Sequence, residues 1–210
     1  MSTLLALTAA VPLAAGWAAH AVVLRRGLTR ARRDPLTGLW TRDAFTRKAR
    51  RLLRDKRAVV VLADVDHFKQ INDTHGHAAG DALLASVARR LAHATGADGV
   101  CGRLGGDEFA AVLLDKDGAA ADLLTLLHGV LARPAEGQPS EVATTVSLGW
   151  VRAAEHPGTD LSGLLGRADE AMYEAKRAAH GPVRAPLGRR LWQGLTSRRG
   201  GRRNTAGVAA

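Results

Sequence analysis

The hydrophobic positions of this chain follow two periods that alternate along its middle. Residues 42–55 are mostly charged, with Phe45, Ala49, Leu52 and Leu53 recurring at helical spacing, which predicts an amphipathic helix. Residues 58–64 form an unbroken apolar, β-branched run ending in carboxylates, the pattern of a buried strand. Leu83, Leu84, Val87 and Leu91 share one face of a helix expected over 79–94 and opened by the Gly80-Asp81 region. Residues 100–104 and 109–114 flank a Gly-Gly pair and read as the arms of a hairpin. A helix over 119–132 stops before Pro134, a strand rich in Val and Thr covers 142–151, and a last helix runs over 161–179. The order β, α, β-hairpin, α, β, α predicts an α/β fold, a two-layer sandwich with a mixed central sheet and helices on one face.

Two segments fall outside that pattern. Leu4 to Leu24 is an uncharged stretch of 21 residues, long enough to cross a bilayer as a helix. Pro12, Gly16 and His20 interrupt it, and a buried or amphipathic stalk helix is the competing reading. Arginines follow the apolar run and do not precede it, which argues against a cleaved signal peptide. By the positive-inside rule the basic linker over 25–33 places everything after it in the cytoplasm. Residues 183–210 are rich in Gly, Arg and Pro with little periodicity and read as a basic, disordered tail.

At 210 residues and 46% hydrophobic content, one globular domain over 34–182 buries a core without disulfide or zinc support. Cys101, the single cysteine, excludes an internal disulfide and reads as a buried thiol. The net charge of +10 belongs to the ends: 1–33 carries five arginines and 183–210 seven, with no Asp or Glu in either. The remaining 18 basic residues face all 20 acidic ones, so the domain itself offers no basic footprint for specific nucleic-acid binding.

The chemistry gathers at two places. Asp64-Val65-Asp66 closes the buried strand, where side chains emerge from a rigid frame, although Asp66 could equally cap the following turn. Asp107 and Glu108 come directly after Gly105 and Gly106, whose missing side chains permit a tight turn at positive φ and close approach of an anionic ligand. If the hairpin pairs beside the 58–64 strand, Asp64 and Asp107 meet, and such carboxylates require a cation. Oxygen donors of this kind suit Mg2+ or Mn2+, the ions used for displacement at phosphorus. Lys69, five residues after Asp64, could neutralise phosphate oxygens, and Asn72 and Asp81 could hydrogen-bond the edge of a purine.

The run Asp64-Val65-Asp66-His67-Phe68-Lys69-Gln70-Ile71-Asn72-Asp73-Thr74-His75-Gly76-His77-Ala78-Ala79-Gly80-Asp81, with Arg103-Leu104-Gly105-Gly106-Asp107-Glu108-Phe109, closely resembles the GGDEF family of diguanylate cyclases. Asp34-Pro35-Leu36-Thr37-Gly38-Leu39 resembles the family's entry motif, and Ala168 to Lys176 its closing helix. The resemblance implies a palm-like nucleotidyl cyclase domain that condenses two GTP into cyclic di-GMP. It implies metal binding by Asp64, the Val65 carbonyl, Asp107 and Glu108. Substrate contacts fall to Phe68, Asn72, His77, Asp81, Lys176, Gly105 and Gly106, with Lys69 stabilising the transition state and Asp107 as a proton acceptor for the attacking 3′-hydroxyl. Because each domain holds one GTP, it implies a homodimer.

Departures from the family pattern are specific. An inhibitory product site often places Arg-x-x-Asp upstream of the hairpin; here Gly96 and Gly99, or Thr95 and Asp98 one residue earlier, stand there, so that site is expected to be absent. Thr41 replaces the usual Asn of the entry motif, and His180-Gly181-Pro182 follows the lysine helix where Gly-x-Asn or an arginine is common. The 33 residues before Asp34 are too few for a sensor domain. Two other readings compete: a GTP-binding module without turnover, and a nucleic-acid or lipid adaptor driven by the basic ends.

Overall fold

The structure, a computed structural model, describes residues 32–139, 142, 144–178 and 181–186, together with Trp17 and His20. Strand β2 (Ala58–Val65) is the spine, hydrogen-bonded in antiparallel register to β4 (Glu108–Leu114) on one side and β5 (Val146–Arg152) on the other. Beyond β4 lie β3 (Val100–Arg103) and the short β1 (Trp40–Thr41), and beyond β5 lies β6 (Val183–Arg184), giving the order β1-β3-β4-β2-β5-β6. The two outermost pairings are parallel and the rest antiparallel, so the sheet is mixed, as expected.

The sandwich has three layers where two were expected. Val59, Val61, Ala63 and Val65 of β2 pack beneath α3 (His77–Thr95) and α4 (Ala120–Leu131), against Leu83, Leu84, Val87, Leu91, Leu124 and Leu127. Ala58, Val60 and Leu62 face the other way, against Phe45 and Ala49 of α1 (Arg42–Leu52) and Leu161, Leu164, Ala168 and Met172 of α5 (Leu161–Ala178). A strand apolar at every position from Ala58 to Ala63 must be covered on both faces, and its alternating side chains divide the core in two. Cys101 is buried in the first of these cores, where burial pushes its thiol up to about 11. It is therefore an unreactive packing residue.

Several boundaries differ from the sequence reading. A helix α2 (Phe68–His75) precedes α3; it buries only Ile71, so its apolar period is too weak to read. Gly76, at φ 82°, separates the two helices. β5 begins at Val146, four residues later than the Val/Thr-rich stretch implied. Val183 and Arg184 pair with β5, and Ala185, 2% exposed, donates its N–H to the Trp150 carbonyl at 2.8 Å. The ordered fold thus reaches into the stretch expected to be tail. The expected membrane span lies outside the described residues, except for Trp17 and His20; among the described residues no helix is long and apolar enough to cross a membrane.

Candidate active site

The carboxylates converge because of strand register. Asp64 lies opposite Glu108 across the β2–β4 ladder, and the Val65 N–H donates to the Asp107 carbonyl at 3.2 Å. Both acidic pairs therefore sit at one end of the sheet. The Lys176 ammonium lies 2.5 Å from Asp64 Oδ1 and 3.9 Å from Asp66 Oδ1, although it comes from the far end of α5. Gly149 of β5 makes this reach possible. A Cβ there would stand 2.0 Å from the Ala168 carbonyl and 2.3 Å from the Met172 nitrogen, so α5 rests directly on the strand backbone and its next turn presents Lys176 to the carboxylates.

Each carboxylate has a different environment. Asp64, 14% exposed, is pushed above the ordinary aspartate range by burial; Lys176 opposes that, and the charges of Asp107 and Glu108 reinforce it. Asp66 is engaged by β5 and the two residues before it, accepting from Ser147 Oγ at 2.8 Å and Thr145 Oγ1 at 2.7 Å, while its carbonyl accepts from Thr144 Oγ1 at 2.6 Å. It fastens the loop after β2 and caps no helix. Ser147 and Thr145 went unnoticed in the sequence because hydroxyls in a strand carry no signal of their own.

The hairpin is braced from the start of the domain. Arg103 donates to the Gly106 carbonyl at 2.7 Å and to the Gly105 carbonyl at 3.2 Å, and its other nitrogen reaches Asp34 at 3.1 Å. Asp34 also accepts from Thr37 N–H at 2.8 Å and Thr37 Oγ1 at 2.6 Å. Burial alone would push the Asp34 carboxyl up, but these hydrogen bonds and the guanidinium outweigh it and hold it below the usual range. Arg42 donates to the Leu104 carbonyl at 2.9 Å and lies 3.6 Å from Glu108. Neither Gly105 nor Gly106 takes positive φ, contrary to the turn geometry expected of them. Their contribution is space: nothing lies within 4 Å of a Cβ built on Gly106, and only Glu108 crowds one on Gly105.

The remaining expected residues line α2 and α3. Phe68 is half-buried against the core and Asn72 is half-buried, while Lys69, His77 and Asp81 are exposed. His67, the only non-glycine at positive φ among the described residues (55°), turns the chain from β2 into α2. It lies between two cavities. One, of about 430 Å3, is lined by His67, Gln70, Thr74, His75, Thr144 and Thr145; the other, of about 380 Å3, by Asp66, His67, His128, Ser147, Ala175 and Lys176. His67 and His128 were not singled out from the sequence, where isolated histidines are indistinct.

The donor set Asp64, Val65 carbonyl, Asp107 and Glu108 is made of hard oxygens suited to a divalent cation. Among the described residues, however, no three His, Cys, Asp or Glu side chains stand close enough together to hold a metal ion as they are placed. The cation in contact with Asp64 is the Lys176 ammonium.

The diguanylate cyclase GGDEF domain model matches residues 31–181. The chain belongs to that family. An uncharacterized 19.3 kDa protein of Streptomyces ambofaciens is 48% identical over 162 residues, covering 77% of this chain and 87% of that protein. The diguanylate cyclase TpbB of Pseudomonas aeruginosa is 39% identical over 165 residues, 73% of this chain. The chain spans only 37% of that cyclase and 39% of DgcN, a 37% identical diguanylate cyclase of Escherichia coli. Among solved structures, the coiled coil and GGDEF domain of DgcB from Caulobacter crescentus, in complex with c-di-GMP, matches with TM-score 0.69 and 27% identity, covering 81% of this chain and 96% of that one. The GGDEF domain of TpbB matches with TM-score 0.63 and 36% identity, covering 74% and 95%.

Proposed function

We propose that this chain is a diguanylate cyclase, acting as a homodimer that joins two GTP into cyclic di-GMP and releases two pyrophosphates. The observation that carries the reading is the meeting of Asp64 with the Asp107–Glu108 pair at one end of the sheet, beside Lys176. Each 3′-oxygen attacks the α-phosphorus held by the opposite domain, the α–β phosphoanhydride bond breaks, and pyrophosphate leaves. Two facing domains are required, because one site presents one nucleotide.

Asp64, the Val65 carbonyl and Asp107, with Glu108 beside them, would hold Mg2+ or Mn2+, which supplies charge neutralisation at the reacting phosphate. Lys69 and Lys176 bind phosphate oxygens, Lys69 at the charge that builds in the transition state. Phe68, Asn72, His77 and Asp81 hold the nucleoside, Asp81 accepting from the guanine N–H groups and Asn72 answering its acceptors. Gly105 and Gly106 leave room for the phosphates, and Asp107 receives the proton of the 3′-hydroxyl.

A silent GTP-binding module is the alternative, favoured by one observation: Lys176 already occupies Asp64. Incubating the full chain with GTP and Mg2+ and assaying for cyclic di-GMP decides between them. Binding of GTP with no product at high protein concentration rejects the cyclase. The apolar 4–24 stretch would anchor the chain in a bacterial cytoplasmic membrane with the catalytic domain in the cytoplasm, which fractionation and protease accessibility test. The Arg-x-x-Asp product brake is absent in this reading: Asp98 pairs with Lys116 at 2.5 Å, and Gly99 packs against Thr95 and the Val112 carbonyl.

A further inference from the structure

We infer that Gly80 is the seat that fixes the Asn72 amide, and through it the choice of base, so that Gly80 is a positioning residue for nucleotide selection. The inference rests on the proposed GTP reading and adds a residue that makes no ligand contact of its own. Gly80 lies in the first turn of α3, where it is buried against α2. A Cβ built there would stand 2.0 Å from Asn72 Oδ1, 3.0 Å from Asn72 Cγ and 3.1 Å from Phe68 Cε2. The φ of Gly80 is not positive, so backbone conformation does not demand glycine at this position. What demands it is the side chain resting on it.

Two consequences separate this glycine from one that merely packs. The atoms in the way are the far end of a side chain, so an added methyl group displaces the amide and leaves the helix backbone in place. By contrast, the atoms facing a Cβ on Gly149 are backbone, which cannot swing aside. The fold therefore tolerates Gly80→Ala, which also improves helix propensity, while the amide loses its position. With its oxygen against Gly80, the planar amide turns its NH2 donors to the opposite side, where they can meet a carbonyl acceptor on a base. Guanine offers a carbonyl at the position where adenine carries an amine.

Phe68 lies one turn before Asn72 on the same face of α2 and touches the same point. Gly80 thus sets the spacing between the two helices at the residues expected to hold the nucleoside.

The test measures equilibrium binding of GTP and ATP to the full chain, its Gly80→Ala and Asn72→Ala variants and the double variant, with thermal unfolding of each. In Gly80→Ala the GTP-over-ATP preference is expected to fall roughly tenfold, the size of one lost hydrogen bond, with the melting temperature held or raised. The double variant is expected to match Asn72→Ala alone, because a residue acting through Asn72 has nothing left to act on. An unchanged preference in Gly80→Ala overturns the inference, as does a further loss in the double variant. The double variant has lost the main obstruction, so it reports even if Gly80→Ala unfolds. A wild type that binds GTP and ATP equally rejects the base reading itself, and the inference falls with it. A wild type that prefers GTP but makes no cyclic di-GMP rejects only turnover.

Discussion

Lys176 and Asp64, 112 residues apart in sequence, are joined by a 2.5 Å hydrogen bond at the end of the central strand. The ammonium rests where the proposed metal charge is needed, on a carboxylate that burial and two acidic neighbours make costly to ionise. Replacing Lys176 by Met leaves Asp64 facing like charges. The expected result is a loss of about 1 kcal/mol in stability, modest because the lysine is 35% exposed and solvent screens the pair. Urea unfolding at low and at high salt checks it, with the difference between variants shrinking as salt rises.

In the metal-free protein, the Asp64 carboxyl sits above its ordinary value of 3.8, so the folded state binds a proton more readily than the unfolded chain. Stability is therefore expected to decline as pH rises from 3.8 through the folded value. Asp64→Asn removes this component, and unfolding free energies of both proteins between pH 3 and pH 8 should show the wild type with the extra downward slope.

Asp34 carries the opposite sign. Its carboxyl lies below the ordinary range, so its contribution is present above 3.8 and is lost as pH falls through the folded value. Asp34→Asn is expected to cost about 1 kcal/mol at pH 7, a cost that shrinks as pH falls through the folded value. Since Arg103 also holds the Gly105 and Gly106 carbonyls, the same change should reduce product formation more than GTP binding.

Gly149→Ala brings a methyl group against the Ala168 carbonyl and the Met172 nitrogen, both backbone. α5 must lift, at a cost of about 3 kcal/mol. Lys176 moves with it, so a crystal structure or amide chemical shifts of the variant should show the Asp64 contact broken.

Asp107→Asn keeps the shape of the side chain and removes its charge. Product formation is expected to fall by roughly a hundredfold or more while GTP binding persists, the mark of a group needed at the reacting atoms. Activity at the wild-type level would remove Asp107 from both the metal set and the proton transfer.

The convergence of the two acidic pairs at one end of the sheet was legible in the sequence because those residues are tied to strong signals. An apolar run that stops at carboxylates announces the end of a strand, and a Gly-Gly pair between two short strands announces a hairpin; the pairing of β2 with β4, which brings Asp64 beside Asp107, was a condition that the sequence left open. Lys176 was legible as a site residue only through family resemblance; its contact with Asp64 depends on how closely α5 lies on Gly149, a tertiary fact. The second covered face was misjudged because helix order does not say on which side of a sheet each crossover passes. α2 was overlooked for want of buried positions, and β6 because two residues of edge strand are held by pairing with β5 and not by their own pattern.

The central position of β2 gives the two halves of the site unequal lifetimes. Its amides are hydrogen-bonded to a neighbour on each side and covered on both faces, so they should exchange with deuterium only when the whole domain unfolds. α2, with Ile71 its one buried residue and Phe68 partly buried beside it, is less firmly held and is expected to open at a lower free energy. The end that carries Asp64 is thus fixed for as long as the protein is folded, whereas the arm bearing Lys69 and Asn72 is expected to part from it and close again, which in the proposed cyclase would give a nucleotide a way in and a pyrophosphate a way out.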